Sequence, residues 1–473
     1  MNKNLFFIKT MLLLFIITGC SSDDDATVTQ EFAVAFENPS VSFSTTDENK
    51  EIKIVFSSTA LEAGTLTIKY TANKAVYGAN ADFTTVPSGE TGSLTVNFKQ
   101  GDKGAVFTLN KLRNPIEGIT KAVSFSIEKV SIANGLISGN TDIAVSFTEA
   151  PAIGGVIAPE VGGHNEPNQV YIDLSSQTQS TIKRDQWDLG FYSGSEFRVK
   201  INGAIYMGAA QLDATDITTV READVTALKD LIITSAPNTA QYFDDPTGDI
   251  TKTVIAEVSA KVEENKVYLL KLGYEVSTKE PKVGRVDISG ELRGWKKIRI
   301  LRDGDGYILQ HADVDATTFE EIKIPKKSEY NFTFFSFNTK SIVDVEPMKD
   351  KWDLNFTVFT NIISFQPGVT GAYGFSDFIT TDLLGGANSY MVKTTEFTYE
   401  DFALANIDND KFIADQRGIG SNWRDLLGGT GLLTDRFFVL KDTDGNLYKI
   451  RFTAFTNESG VRGYPQFEYT LLQ

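Results

Sequence analysis

Between residues 31 and 148, apolar and polar side chains alternate in short runs. Ile52, Ile54 and Phe56, then Leu66, Ile68 and Tyr70, then Leu94, Val96 and Phe98, then Val123, Phe125 and Ile127 take every second position, with mostly polar residues between them. A strand turns successive side chains to opposite faces, so such runs at regular intervals predict an all-β sandwich. From 149 to 167 the alternation stops. Pro151, Gly154, Gly155, Pro159, Gly162, Gly163 and Pro167 cluster there without apolar periodicity, which predicts a linker and a domain boundary. Strand patterns resume at residue 168. Two candidate helices interrupt them: 221–233, with Val225, Leu228 and Leu231 or Ile232 on one face, and a second over 399–412.

Within 168–473 the chain echoes itself. Trp187-Asp188-Leu189-Gly190-Phe191 returns as Trp352-Asp353-Leu354-Asn355-Phe356, and Leu301-Arg302-Asp303-Gly304-Asp305-Gly306 as Leu440-Lys441-Asp442-Thr443-Asp444-Gly445. The two offsets differ, so a duplication would since have gained or lost loops. A repeat this long predicts two related lobes, roughly 168–325 and 326–473. A Trp followed by Asp at a strand start is expected to pack its ring inward and to spend its carboxylate on nearby backbone. The Asp-Gly pairs begin like Ca²⁺ loops, but Val314 and Thr453 stand where an EF-hand needs Glu. Hairpin turns are the expected reading, because Gly accepts the positive φ of the turn.

The first thirty residues change the picture from a plain β protein to an exported one. Lys3 and Lys9 precede a run from Met11 to Ile17 that is shorter than the ~20 apolar residues needed to cross a bilayer. Gly19-Cys20 at its end resembles a bacterial lipoprotein cleavage site. That resemblance implies a signal peptide over 1–19, acylation of Cys20, and anchoring to a membrane through the lipid. Ser21-Ser22-Asp23-Asp24-Asp25 then reads as a solvated tether over 20–30. It resembles the acidic signal that sends Bacteroidetes lipoproteins to the outer face of the outer membrane.

Charge and side-chain chemistry then narrow the function. There are 45 Lys and Arg against 62 Asp and Glu, and losing Lys3 and Lys9 with the signal deepens the net charge from −17 to −19. Nucleic acid is an unsuitable partner for such a surface, since its phosphates need clustered cations. Cys20 is the one Cys in 473 residues, which excludes a disulfide within the monomer and a Cys-rich zinc site. There is no Gly-x-Ser-x-Gly elbow and no P-loop, so an enzyme is not expected.

Two family resemblances follow. The order of runs in 31–148, with Tyr77-Gly78-Ala79-Asn80-Ala81-Asp82-Phe83 in the middle, resembles a Calx-β domain. Some Calx-β domains bind Ca²⁺ through acidic loops. Asp82 occupies the matching loop without a full set of carboxylates, so a structural spacer is expected and Ca²⁺ is left open. Farther on, Phe334-Phe335-Ser336-Phe337, Val343-Asp344-Val345, the second Trp-Asp segment, the block from Arg436 to Thr453 and Phe467-Glu468-Tyr469-Thr470 resemble the HmuY family of haem-capturing surface lipoproteins. Asn168 to Ser175 and Trp187 to Asn202 fit the form of its larger members.

The HmuY resemblance implies a two-lobed, β-rich domain with one or two short helices, gripping haem between its lobes and passing it to an outer-membrane haem transporter. It also implies one or two axial ligands, commonly His and in some relatives Met. This chain departs from the His pattern: Tyr192 and Thr357 stand just after the Trp-Asp motifs. The candidate iron ligands are therefore Met207, Met391, His311 and Tyr192, with Met207 and Met391 preferred. The competing expectation is a surface module for glycan or protein, built on the same scaffold without haem.

Overall fold

The structure, a computed structural model, describes residues 32–79, 81–426 and 431–473. Cys20, the expected signal peptide and the acidic tether lie outside the described residues. The described chain is mainly β and divides into two compact units: one runs to Arg113 and resumes over Lys121–Thr148, the other comprises Asn114–Thr120 and Glu149–Gln473.

The first unit is a β-sandwich. One five-stranded sheet has the order Phe83–Val86, Gly104–Lys111, Asn49–Phe56, Phe32–Phe36, Gly135–Ile137; the other has Ser40–Phe43, Asp142–Phe147, Ala122–Val130, Gly64–Asn73, Ser93–Phe98. The alternating residues turn inward as the pattern predicts. Ile52, Ile54, Leu66, Ile68, Leu94, Val96, Val123 and Phe125 join Phe43, Phe83 and Phe107 in one buried core. Asp82 is spent on structure: its carboxylate accepts the Val76 amide at 2.8 Å and pairs with Lys121 Nζ at 2.7 Å.

The second unit holds four larger sheets. The terminal sheet orders Gly154–Ile157, Arg462–Leu471, Leu447–Thr456, Arg436–Lys441, Asn388–Lys393. The long-hairpin sheet orders Thr178–Lys183, Asn168–Asp173, Leu354–Gln366, Val369–Thr381. A small sheet orders Val199–Ile201, Leu189–Tyr192, Phe332–Ser336, Ser341–Val343, and a meander runs Gly208–Gln211, Val267–Lys271, Trp295–Asp303, Gly306–Ala312, Glu320–Ile324. Both Asp-Gly segments are hairpin turns, with Gly304 at φ +61° and Gly445 at φ +90°.

Three expectations need correction. The strand after the first Trp-Asp, Leu189–Tyr192, pairs with Phe332–Ser336, and the strand after the second, Leu354–Gln366, pairs with Asn168–Asp173. Both of these sheets thus draw strands from either side of residue 325, so a cut there splits them, while the meander lies wholly before it. Residues 149–167 are also more than a connector. Gly154–Ile157 adds an edge strand to the terminal sheet, and Val161 is buried in its core. Over 399–412 the chain forms only two short 3₁₀ turns, Leu404–Asn406 and Asn409–Lys411. Asn406 accepts the Ala403 amide at 2.9 Å and Asp408 the Asp410 amide at 3.1 Å, local bonds that compete with helix continuation. The other helix forms over Glu222–Lys229, where Asp224 accepts the Arg221 amide at 2.8 Å.

One glycine fixes how the former linker meets the terminal sheet. Gly463 has φ +84°, and a Cβ built on it would lie 2.1 Å from the carbonyl oxygen of Gly163. Left-handed backbone disfavours L-residues by about 1–2 kcal/mol, and here the clashing atom is backbone and cannot swing aside. Gly463→Ala is expected to lower stability by about 2 kcal/mol or more, read as a fall in the urea midpoint.

Candidate functional site

The two Trp-Asp segments build the site from opposite sides. The Trp187 ring meets Phe334 edge-on at 4.8 Å and donates its N–H to Gln169 Oε1 at 2.8 Å. The Trp352 ring meets Tyr171 edge-on at 5.0 Å. Both indoles join Tyr171, Phe332, Phe334 and Val345 in a single buried cluster shared by the long-hairpin sheet and the small sheet. The carboxylates do what the motif predicts. Asp188 accepts the Phe337 amide at 2.6 Å and Arg293 Nη1 at 2.6 Å; Asp353 accepts the amides of Leu174 at 2.8 Å and Thr443 at 3.1 Å.

Beside this cluster lies a cavity of about 170 Å³, bordered by Tyr171, Trp187, Trp352 and Phe332 and by the 243–253 and 380–384 segments. Lys200 enters it from Val199–Ile201, whose two flanking side chains are buried on the other face. Its Nζ lies 3.8 Å from the Phe332 ring centroid, 5.1 Å from that of Phe334 and 5.3 Å from that of Trp187. Aromatic faces attract a cation, more so away from water. Burial nonetheless lowers the Lys200 pKa, against the pull of Glu346, Asp244 and Asp382.

Those three acids line the same cavity. Glu346 accepts the Phe332 amide at 2.8 Å, and burial pushes its carboxyl up to about 7 against the opposing charge of Lys200. Asp244 accepts the amides of Ile201 and Val254, both at 2.8 Å, and burial pushes it up to about 6. Asp382 is raised well above the ordinary carboxylate range by burial and then by Glu346. Its Oδ1 accepts Asn331 Nδ2 at 2.7 Å and the Gly385 amide at 2.9 Å, while Oδ2 has no partner. Two further buried atoms of lining residues are unpartnered, Trp352 Nε1 and Asn355 Oδ1.

The four iron-ligand candidates do not converge there. Met207 borders the cavity but is fully buried in the core that also holds Ile205 and Leu270. His311 is buried between Phe335 and Phe337, with ring centroids at 5.7 and 5.5 Å and Nε2 unpartnered; burial lowers its pKa. Met391 is half-buried on the edge strand Asn388–Lys393, its Sδ 3.5 Å from Arg436 Nη1. Tyr192 is half-buried at the end of Leu189–Tyr192, its ring 5.7 Å from that of Phe332. Lys200, Glu346, Asp382 and Asp244 were not legible as site residues. The one signal pointing near them is the pair of Trp-Asp motifs whose rings wall the cavity.

The family model described as HmuY protein matches residues 165–311 and 328–469, more than half of the chain. The chain belongs to the HmuY family. Its HmuY region spans both Trp-Asp motifs and the cavity residues between them, and membership supports a haem-related binding role at the level of the family. No curated protein matches the chain. Among solved structures, a proposed HmuY-like heme binding protein from Bacteroides vulgatus is 11% identical, with 67% of this chain and 91% of that one covered and a TM-score of 0.15. A proposed carbohydrate binding protein from Bacteroides ovatus is 10% identical over 74% of this chain and 97% of that one, TM-score 0.22. The apo form of the Calx CBD1 domain is 12% identical over 25% of this chain and 98% of that one, TM-score 0.21. TM-scores this low carry no argument, and the assignment rests on the matched family model.

Haem needs a flat apolar slot with an axial donor. The cavity does not fit it: about 170 Å³ is below the ~300–1,000 Å³ usual for ligand pockets, and seven charged residues are among those that line it. Of the four candidate donors, Met391 and Tyr192 keep exposed surface. A thioether and a phenol are both donors that haem iron accepts.

Proposed function

We propose that the chain is a non-catalytic, lipid-anchored protein of the outer-membrane surface that captures haem and hands it to an outer-membrane haem transporter. The observation that carries this reading is the HmuY match in two segments, 165–311 and 328–469, running through both Trp-Asp motifs. Cys20, with its lipoprotein-like surroundings, supplies the anchor, and residues 20–30 the tether. The sandwich over 31–148 acts as a Calx-β-like spacer; with Asp82 held by Lys121 and the Val76 amide, it is assigned no Ca²⁺. Among the described residues no helix is long and apolar enough to cross a membrane.

Met391 and Tyr192 are the donors that a macrocycle approaching from solvent reaches first. Met207 and His311 would have to leave closed cores, so substitution there should act on stability before affinity. Titrating the chain lacking residues 1–20 with haemin is expected to give a saturable Soret shift, oxidised or reduced. Met391→Ala is expected to weaken reduced-haem binding about tenfold or more, equivalent to at least ~1.4 kcal/mol. An unchanged Met391→Ala titration beside a weakened Tyr192→Phe one would transfer the role to the phenol. No shift in either oxidation state removes the haem reading.

A further inference from the structure

We propose that Lys200 is a covalent capture site, whose amine binds a short uncharged aldehyde as an imine beside Trp187 and Phe332. The inference stands independently of haem capture.

Lys200 differs from other enclosed lysines of this chain. Lys297 Nζ donates to the Val220 and Ala316 carbonyls, both at 2.7 Å, and Lys449 Nζ to those of Tyr399 at 2.6 Å and Phe402 at 3.0 Å. Each is spent on backbone. Among the described residues Lys200 Nζ has no hydrogen bond and no ion pair, and it meets only the rings of Phe332, Phe334 and Trp187. The side chain borders the cavity and is half-buried, so no protein group occupies its nitrogen and a solute can approach it.

The neighbouring strand makes room for the lysine stem. Gly190 stands opposite Lys200 where Leu189–Tyr192 pairs with Val199–Ile201, and a Cβ built on it would lie 2.9 Å from Lys200 Cε and 3.0 Å from Cγ. The second Trp-Asp segment has Asn355 at the corresponding place. The stem thus crosses the single position of Trp187-Asp188-Leu189-Gly190-Phe191 that carries no side chain.

The surroundings set the chemistry. Only an unprotonated amine attacks a carbonyl, and a lysine kept from water loses its proton more readily. Burial is the largest influence on Lys200 and lowers its pKa; Glu346, Asp244 and Asp382 pull the other way, and burial raises those acids too, which weakens their pull. Asp245, Asp249 and Lys252 complete the charged lining, with Lys252 paired to Asp249 at 3.0 Å. The nitrogen lone pair bonds to the carbonyl carbon, and both amine protons then leave with the carbonyl oxygen as water. Neither oxidant nor reductant is needed. Ring faces and carboxylates are both electronegative, which favours an uncharged aldehyde over an anionic keto acid. About 170 Å³ limits that aldehyde to a few heavy atoms.

The test is labelling of the purified chain with glycolaldehyde and cyanoborohydride, mapped by peptide mass spectrometry. At pH 7 the Lys200 adduct is expected to form about tenfold faster, or more, than those of the exposed Lys261 and Lys323, since each unit of lowered pKa frees about ten times more amine. The lead should shrink toward pH ~10, where exposed lysines also lose their proton. Gly190→Ala, which pushes the stem aside, is expected to slow the Lys200 adduct alone. Mapping of the wild-type chain identifies the residue directly, so the test does not hang on a variant that folds. A Lys200 adduct no faster than those of the exposed lysines, a lead that is constant with pH, a lead as large with glyoxylate, or wild-type labelling in a folded Gly190→Ala chain overturns the proposal. Each of these outcomes leaves the haem reading to its own titration.

Discussion

Asp188→Ala is expected to destabilise the HmuY region by about 3–5 kcal/mol, read as a fall in the urea midpoint at unchanged slope. Asp188 is fully buried, and Arg293, its partner at 2.6 Å, is only 4% exposed at its side chain. Breaking a buried pair from one side leaves an uncompensated charge in a place water does not reach. Arg293 cannot swing out readily, because its guanidinium also donates to the Leu272 carbonyl and to Asn338 Oδ1, both at 3.0 Å. The Phe337 amide loses its acceptor in the same substitution. Adding Arg293→Met to Asp188→Ala should recover part of the loss, since the stranded charge then disappears with its partner. The second motif should behave differently. No cation among the described residues pairs with Asp353, and burial pushes its carboxyl up to about 8, so at neutral pH it is largely protonated. Asp353→Ala then costs the two amides their acceptor, about 1–3 kcal/mol each when left unpaired. Equal losses from the two substitutions would contradict the role given to Arg293.

These two motifs also mark the border between what was legible in the sequence and what was not. The inward Trp ring and the backbone-directed carboxylate are local consequences of a strand start, and both were readable from Trp187-Asp188 and Trp352-Asp353. So was the first sandwich, because period two decides face without reference to any distant residue. Pairing is another matter. That Leu189–Tyr192 lies beside Phe332–Ser336 depends on contacts over a hundred residues apart, and the duplicated pattern pointed instead to two self-contained lobes. Gly154–Ile157 looked like linker because its glycines carry no alternation; it becomes a strand through bonds to Arg462–Leu471. The cavity charges were hidden for a related reason. Lys200 between Val199 and Ile201 reads as the solvent side of a half-buried strand, and only the second layer of the fold encloses it. Glu346 and Asp382 sit outside strands, where acids are expected and carry no signal.

Enclosing those acids makes stability depend on pH, and Glu346→Gln isolates the largest part that can be assigned a value. Burial raises the Glu346 pKa from its ordinary 4.5 to about 7, so between those values the folded chain holds a proton that the unfolded chain releases. Stability falls with rising pH wherever the folded state binds more protons. The contribution is therefore fully present below about pH 4.5 and is lost as pH climbs through 7. At about 1.4 kcal/mol per pKa unit, the loss amounts to roughly 3 kcal/mol at pH 8. Gln keeps an oxygen for the Phe332 amide and cannot ionise. Its effect should be stabilising by about 1 kcal/mol at pH 5 and by about 3 kcal/mol at pH 8, the attraction of Lys200 being already contained in the value of 7. Asp244, pushed up to about 6, and Asp382, also raised, titrate in the same direction, so the slope should flatten without vanishing. Urea midpoints for both proteins at pH 5 and pH 8 measure the difference. Parallel curves would mean that Glu346 meets water freely, against its burial beside Phe332.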